Sequence, residues 1–228
     1  MSCLIHIETS TKVCSVALSK DEKLLFHREN KEGSSHAELL GVYVYEAFQY
    51  AKQNGLTLDA VSVSAGPGSY TGLRIGVSEA KGICYGLGIP LIAIPSLEIM
   101  ASRVVQSGED ADFYCPMIDA RRMEVYAAVY DKKLNKVREI AADIIDENAY
   151  TEFLLKGKVC FFGDGAAKCK AIITSSNAKF LENIEPTASE MVRIAGKKYE
   201  RKDFVDVAYF EPFYLKEFMA TVAKNKVI

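Results

Sequence analysis

With 228 residues, 49% of them hydrophobic, the chain can bury one large core or two small ones, and two are expected. A formal net charge of -2 excludes a protein that grips nucleic acid by its own electrostatics, because such binding needs a concentrated basic surface. No apolar run reaches the length of a membrane span and no leader precedes the first strand, so the expected location is the cytoplasm.

Residues 4–8, 13–18 and 23–28 read as three short strands of an antiparallel meander, separated by polar turns. Ser35 and Glu38 form a capping box, and the helix behind it runs to about Asn54, with Gly55 as its stop. Leu40, Val44, Ala47, Phe48 and Ala51 make one apolar stripe on that helix. Leu39, Tyr43 and Tyr50 make a second, superfluous to a single core. His36 and Glu38 have the start of a metalloprotease spacing, but position 40 is leucine, so the helix-start reading is preferred.

A strand over residues 60–64 then leads into Gly66-Pro67-Gly68-Ser69-Tyr70-Thr71-Gly72-Leu73-Arg74-Ile75-Gly76 and a helix stopped by Gly88 and Pro90. A glycine loop before a helix N-terminus suits phosphate. The spacing here is GxGxxxG, however, and no Lys-Ser or Lys-Thr follows, so the nucleotide reading is weak. Gly68, Gly72, Gly76 and Ala80 also step by four, giving a smooth side expected to lie beside the second stripe of the first helix and to pack against a partner. Leu39, Tyr43, Tyr50, Gly72, Gly76 and Ile83 are the expected interface. A strand over 91–94 and a helix from Ser96 close the first half.

From Phe113 the order begins again, with strands over 114–118, 124–130 and 137–140, a helix over 148–155 and a strand over 159–162. Gly163-Asp164-Gly165, a helix over 166–173 and a last helix capped by Thr187 and Glu190 follow. Both halves thus run three strands, helix, strand, helix. The implied fold is a pseudo-duplicated α/β protein with lobes at 1–108 and 109–228, the tail packing back on the first lobe and a ligand cleft between them. The six cysteines form no CxxC pair and read as reduced core thiols.

Taken together, residues 4–11, Ser35-His36-Ala37-Glu38, the stretch from Ser64 to Gly76, Asp119-Ala120-Arg121 with Glu124-Val125-Tyr126, and Gly163-Asp164-Gly165 resemble the bacterial TsaB family. The resemblance implies a two-lobed fold like that of actin, hexokinase and Hsp70. It also implies a noncatalytic subunit needed for N6-threonylcarbamoyladenosine formation in tRNA. Such a subunit works through a TsaD-like catalytic partner with a TsaE-like ATPase; the patch on the first two long helices is expected to make a homodimer when the chain is alone, and the net charge makes any meeting with tRNA indirect.

Glu8 stands where such folds usually carry Asp, and Arg122 and Met123 replace the usual Gly before Glu124. Both departures argue against nucleotide chemistry on this chain alone. Ser96 and Met100 occupy the spacing at which a TsaD-type site has two histidines, and they cannot replace two imidazoles, so no metal is expected. Glu8, Thr9, Ser10, Asp119, Gly163 and Gly165 are the positions nearest to any nucleotide. No cofactor is expected on the chain, with ATP or ADP confined to a complex interface. The rival is an ATP-dependent phosphotransferase or ATPase using the cleft, for which Glu8 and Asp119 are the available magnesium pair. Arg121 or Arg122 would reach a phosphate, and Lys197, Lys198, Arg201 and Lys202 cluster at the last helix end.

Overall fold

The computed structural model describes residues 2–33 and 36–215. The Ser35 cap and the tail beyond Leu215 lie outside the described residues. The first half supplies β1 (Cys3–Glu8), β2 (Cys14–Lys20), β3 (Lys23–Asn30), α1 (His36–Gln53), β4 (Ala60–Ser64), α2 (Tyr70–Leu87), β5 (Leu91–Ile94) and α3 (Ser96–Gln106). The second supplies β6 (Phe113–Asp119), β7 (Glu124–Asp131), β8 (Lys136–Ile144), α4 (Thr151–Leu154), β9 (Val159–Phe162), α5 (Ala166–Cys169) and β10 (Ala178–Leu181). A 3-10 turn (Ala188–Met191) and α6 (Val192–Glu200) follow.

The first sheet has the order β3-β2-β1-β4-β5 and the second β8-β7-β6-β9-β10. In each, the first three strands pair antiparallel and the last two join in parallel. The duplication expected from element order is therefore a duplication of topology. The sequence pattern does not reveal β10, because Lys179 interrupts the apolar run and Phe180 and Leu181 break the alternation, whereas β5 and β9 are unbroken apolar runs of the same length. The helix expected over 148–155 shrinks to α4 and that over 166–173 to α5. Thr187 makes no capping bond to the backbone; its hydroxyl meets that of Ser189 at 3.0 Å, and the 3-10 turn precedes α6.

All six residues of β1 are buried, since both faces of the first sheet are covered. Cys3, Ile5 and Ile7 join Leu40, Val44 and Ala47 of α1 and Val77, Ala80 and Cys84 of α2. Leu4, on the opposite face, packs with Ala188, Met191, Ile194 and Ala195 from the end of the chain. α3 packs Leu97, Met100, Ala101 and Val104 against Tyr114, Ile118, Ala128, Cys160 and Phe162 of the second sheet, while its Ile99 joins the Leu4 cluster. The halves thus exchange their last helices, and the return to the first lobe starts at the 3-10 turn rather than in the tail. Beyond α6, Val205 pairs with Leu91 at the edge of the first sheet, its N–H donating to the Leu91 carbonyl at 2.9 Å.

Candidate functional site

An open cleft of about 1030 Å³ lies between the lobes, beyond the ends of the central strands β1 and β6. Its walls are the β1–β2 turn at Ser10, Thr11 and Lys12, the N-terminus of α2, the β6–β7 turn from Asp119 to Glu124, Asp164, and Phe213 to Leu215 of the returning tail. α2 begins there because Ser69 takes the N-cap, its hydroxyl accepting from the Gly72 N–H at 3.3 Å, and it ends in a left-handed Gly88 at φ 66°.

The glycine ladder faces inward. A Cβ on Gly68 would lie 2.2 Å from the Ser10 carbonyl oxygen, one on Gly72 2.2 Å from that of Thr9, and one on Gly76 2.2 Å from Thr9 Oγ1. The Thr9 hydroxyl donates to the Gly72 carbonyl at 2.8 Å, and the Ser69 N–H donates to the Ser10 carbonyl at 2.7 Å. Gly72 and Gly76 are therefore corrected from partner-facing to buried. Their missing side chains let the β1–β2 turn seat directly on α2.

Tyr50 is likewise no neighbour of the glycine side, because its ring packs on Phe26 of β3 at 5.8 Å. Leu39, Tyr43 and Ile83 are half-buried against the first core. What stands outward on α1 and α2 is a different set: Val42, Tyr45, Tyr85 and Leu87, with Gly41, Gly82 and Gly86 in open space. The sequence signal for Val42, Tyr45 and Tyr85 was present, since they fall opposite the buried stripes on each helix, whereas Leu87 continues the stripe of Ala80 and Cys84 and is exposed as the last residue of α2.

Of the six nucleotide-proximal candidates, Ser10 and Asp119 line the cleft. Glu8 lies beneath it, fully buried, with Oε1 accepting the Ser10 N–H at 2.5 Å and Oε2 meeting no hydrogen-bond partner. Burial pushes its carboxyl up to about 7. Thr9 is committed to α2. Gly163, at φ 103°, and Gly165 serve β6: a Cβ on the first would lie 2.2 Å from the Met117 carbonyl oxygen and one on the second 2.9 Å from the Ile118 carbonyl carbon.

Asp164 between them does reach the cleft, its Oδ1 accepting the Asp119 N–H at 2.9 Å, and burial raises its carboxyl above the usual range. Asp119 Oδ1 accepts the Arg121 N–H at 3.0 Å and is paired with Lys168, a residue that no sequence pattern marked. Lys12 reaches Glu185 at 2.8 Å across the lobes, and Lys198 is paired with Asp203 at 2.5 Å.

Magnesium does not fit this arrangement. Glu8 is sealed below the turn and Asp119 already holds an ammonium, so the pair required for phosphoryl transfer is engaged elsewhere. Ser96 and Met100 are both buried, and among the described residues no group of three or more His, Cys, Asp and Glu could hold a metal. All six cysteines are buried thiols, and among the described residues no helix is long and apolar enough to cross a membrane.

Two topologically equivalent five-stranded sheets with a cleft between them define a protein of the actin, hexokinase and Hsp70 class. The family model for TsaD, tRNA N6-adenosine threonylcarbamoyltransferase, matches residues 30–224. The chain belongs to that family, on its TsaB side. It is 28% identical to the tRNA threonylcarbamoyladenosine biosynthesis protein TsaB of Escherichia coli K12 over 223 residues, covering 95% of this chain and 96% of that one. It is also 28% identical to the protein of the same name from Haemophilus influenzae, with 93% of each chain covered. Its structure is similar to that of YeaZ from Pseudomonas aeruginosa, with a TM-score of 0.81 at 26% identity over 94% of this chain and 100% of the other.

Proposed function

We propose that the chain is a noncatalytic scaffold subunit required for N6-threonylcarbamoyladenosine formation in tRNA, docking onto a TsaD-like catalytic chain in an assembly completed by a TsaE-like ATPase. Its relatives are named for biosynthesis of that nucleoside, and the matching family model is named for the transferase. The observation that carries the reading is the outer face of α1 and α2, where Val42, Tyr45 and Tyr85 stand 50%, 63% and 88% exposed. Aromatic and small residues on neighbouring helices are costly to leave wet, and two helices from a partner would cover them. Without that partner, a second copy would cover the same face by a twofold contact. The cleft supports the noncatalytic part, because its two candidate metal carboxylates are sequestered. With a net charge of -2, contact with tRNA runs through the partner.

Tyr45→Asp and Tyr85→Asp test this. Each is to be examined by size-exclusion chromatography with light scattering, alone and mixed with the TsaD protein of the same organism. The expected result is unchanged melting with association weakened by about tenfold or more. Wild-type association in both variants would place the interface elsewhere. Sustained ATP turnover by the purified chain would favour the phosphotransferase reading instead.

A further inference from the structure

We infer that Lys168 is an internal cation: its ammonium fills an oxygen pocket in the β6–β7 turn, so that the cleft wall bearing Arg121 and Arg122 is set without a metal ion. Three oxygens converge on Nζ. They are Asp119 Oδ1 and the carbonyls of Arg122 and Glu124, the latter two at 2.7 Å. An ammonium has three donors and all three are used. A carboxylate with backbone carbonyls is also the ligand set of a hard divalent cation, and here a side chain from α5 supplies the charge in its place.

The turn needs such a holder. Arg121 and Arg122 are consecutive side-chain-bearing residues in the left-handed region, at φ 70° and 52°. Strained conformations of this kind persist where the surroundings over-determine them. The lysine does so by tying Asp119, at the start of the turn, to the carbonyls of Arg122 and Glu124 at its end. Asp164 fixes the start from the other side by accepting the Asp119 N–H.

This is not an ordinary exposed ion pair, whose contribution is small. The Asp119 carboxylate is 47% exposed, but the Lys168 side chain is 23% exposed, and two of its three partners are backbone atoms that do not swing away. Two consequences follow for the cleft. Asp119 is neutralised and taken from any metal, and the guanidinium groups of Arg121 and Arg122, which form no ion pair among the described residues, are the uncompensated charges on that wall.

The test is amide hydrogen exchange on the full chain. Lys168→Ala should speed exchange across residues 119–125 by about tenfold or more and leave the first sheet unchanged. Millimolar magnesium chloride, or n-butylammonium chloride, should restore the protection, whereas tetramethylammonium chloride at equal ionic strength should not. In wild type none of the three should alter exchange at the turn. Should the alanine variant fail to fold, Lys168→Met keeps most of the stem while removing the charge, and Asp119→Asn weakens the pocket from the other side; both should speed the same amides. Unchanged exchange in the variants overturns the inference. So does a loss that neither cation restores, which would assign the turn to packing of the lysine stem, or a wild-type response to magnesium at the turn, which would mean the pocket is not filled.

Discussion

His6 and Glu8 stand two residues apart on β1, on the same face of the first sheet and both fully buried, and burial drives their titrations in opposite directions. The imidazole is lowered to about 3 and the carboxyl raised to about 7. His6 is satisfied as a neutral ring, with Nδ1 at 2.7 Å from the Ser62 hydroxyl and Nε2 at 2.8 Å from that of Ser19. Glu8 has a partner for one oxygen only.

A pH dependence of stability follows. For His6 the unfolded chain binds more protons than the fold between about 3 and 6.5, so stability rises with pH through that window. For Glu8 the fold binds more protons between 4.5 and about 7, so stability falls as pH rises there. The slopes oppose each other where the windows overlap. Glu8→Gln abolishes the second slope, and the variant should gain on wild type by about 3 kcal/mol between acid and mildly alkaline pH. Denaturant titrations at a series of pH values measure it; parallel curves would mean that Glu8 is not held protonated.

Two glycines of α2 should respond in opposite senses to the same change. Gly72→Ala drives a methyl into the Thr9 carbonyl, which is backbone and cannot rotate aside, and should cost about 2 kcal/mol or more. Gly82→Ala meets nothing within 4 Å and should stabilise the isolated chain by about 0.5–1 kcal/mol. Thermal melts of the two variants decide the matter. A neutral Gly72→Ala would return the ladder to the surface role first expected of it.

The returning tail is held on α2 by Lys81, whose ammonium donates to the carbonyls of Ala208 and Phe210 at 3.0 and 3.1 Å. Lys81→Met should loosen that segment by about 1–2 kcal/mol and leave the sheets intact. Limited proteolysis with mass mapping should find new cuts between residues 203 and 215. If the cleavage pattern is unchanged, the Phe213 N–H bond to the Ala65 carbonyl at 2.7 Å and the contact of the Tyr214 and Tyr70 rings at 4.9 Å suffice.

Because Glu8 is given no chemical step, Glu8→Gln should leave tRNA modification within about tenfold of wild type in a reconstituted system with the catalytic partner. A hundredfold fall with normal folding, about 2.7 kcal/mol of barrier, would make it more than a bystander.

Much of the fold could be read from local pattern. The β1–β3 meander, α1 and α2 with their glycine stops, and the repeated strand order all carry period-two or helical spacing over enough residues to show. β10 does not, because Ala-Lys-Phe-Leu neither alternates nor forms a continuous apolar run like those of β5 and β9, and the shortened α4 and α5 hold little more than one helical turn each. The site was harder. The absence of Cβ at Gly72 and Gly76 announces a close neighbour without saying which, and Thr9, more than sixty residues upstream in the chain, is the answer. Lys168 lies 49 residues from Asp119 in a helix too short to have a face, so nothing in its surroundings marked it as part of the cleft.

The exchange of α3 and α6 between the halves bears on how the chain is made. As the polypeptide leaves the ribosome, β1 to β5 are available early, but the face carrying Leu4, His6 and Glu8, to which α3 contributes Ile99, lacks the rest of its cover until residues 188–200 emerge. In the same interval α3 offers Leu97 and Met100 to a second sheet not yet synthesised. Neither half is complete as a folding unit, so severing the backbone between residues 106 and 111 should give two fragments that are insoluble apart and recover structure when refolded as a mixture.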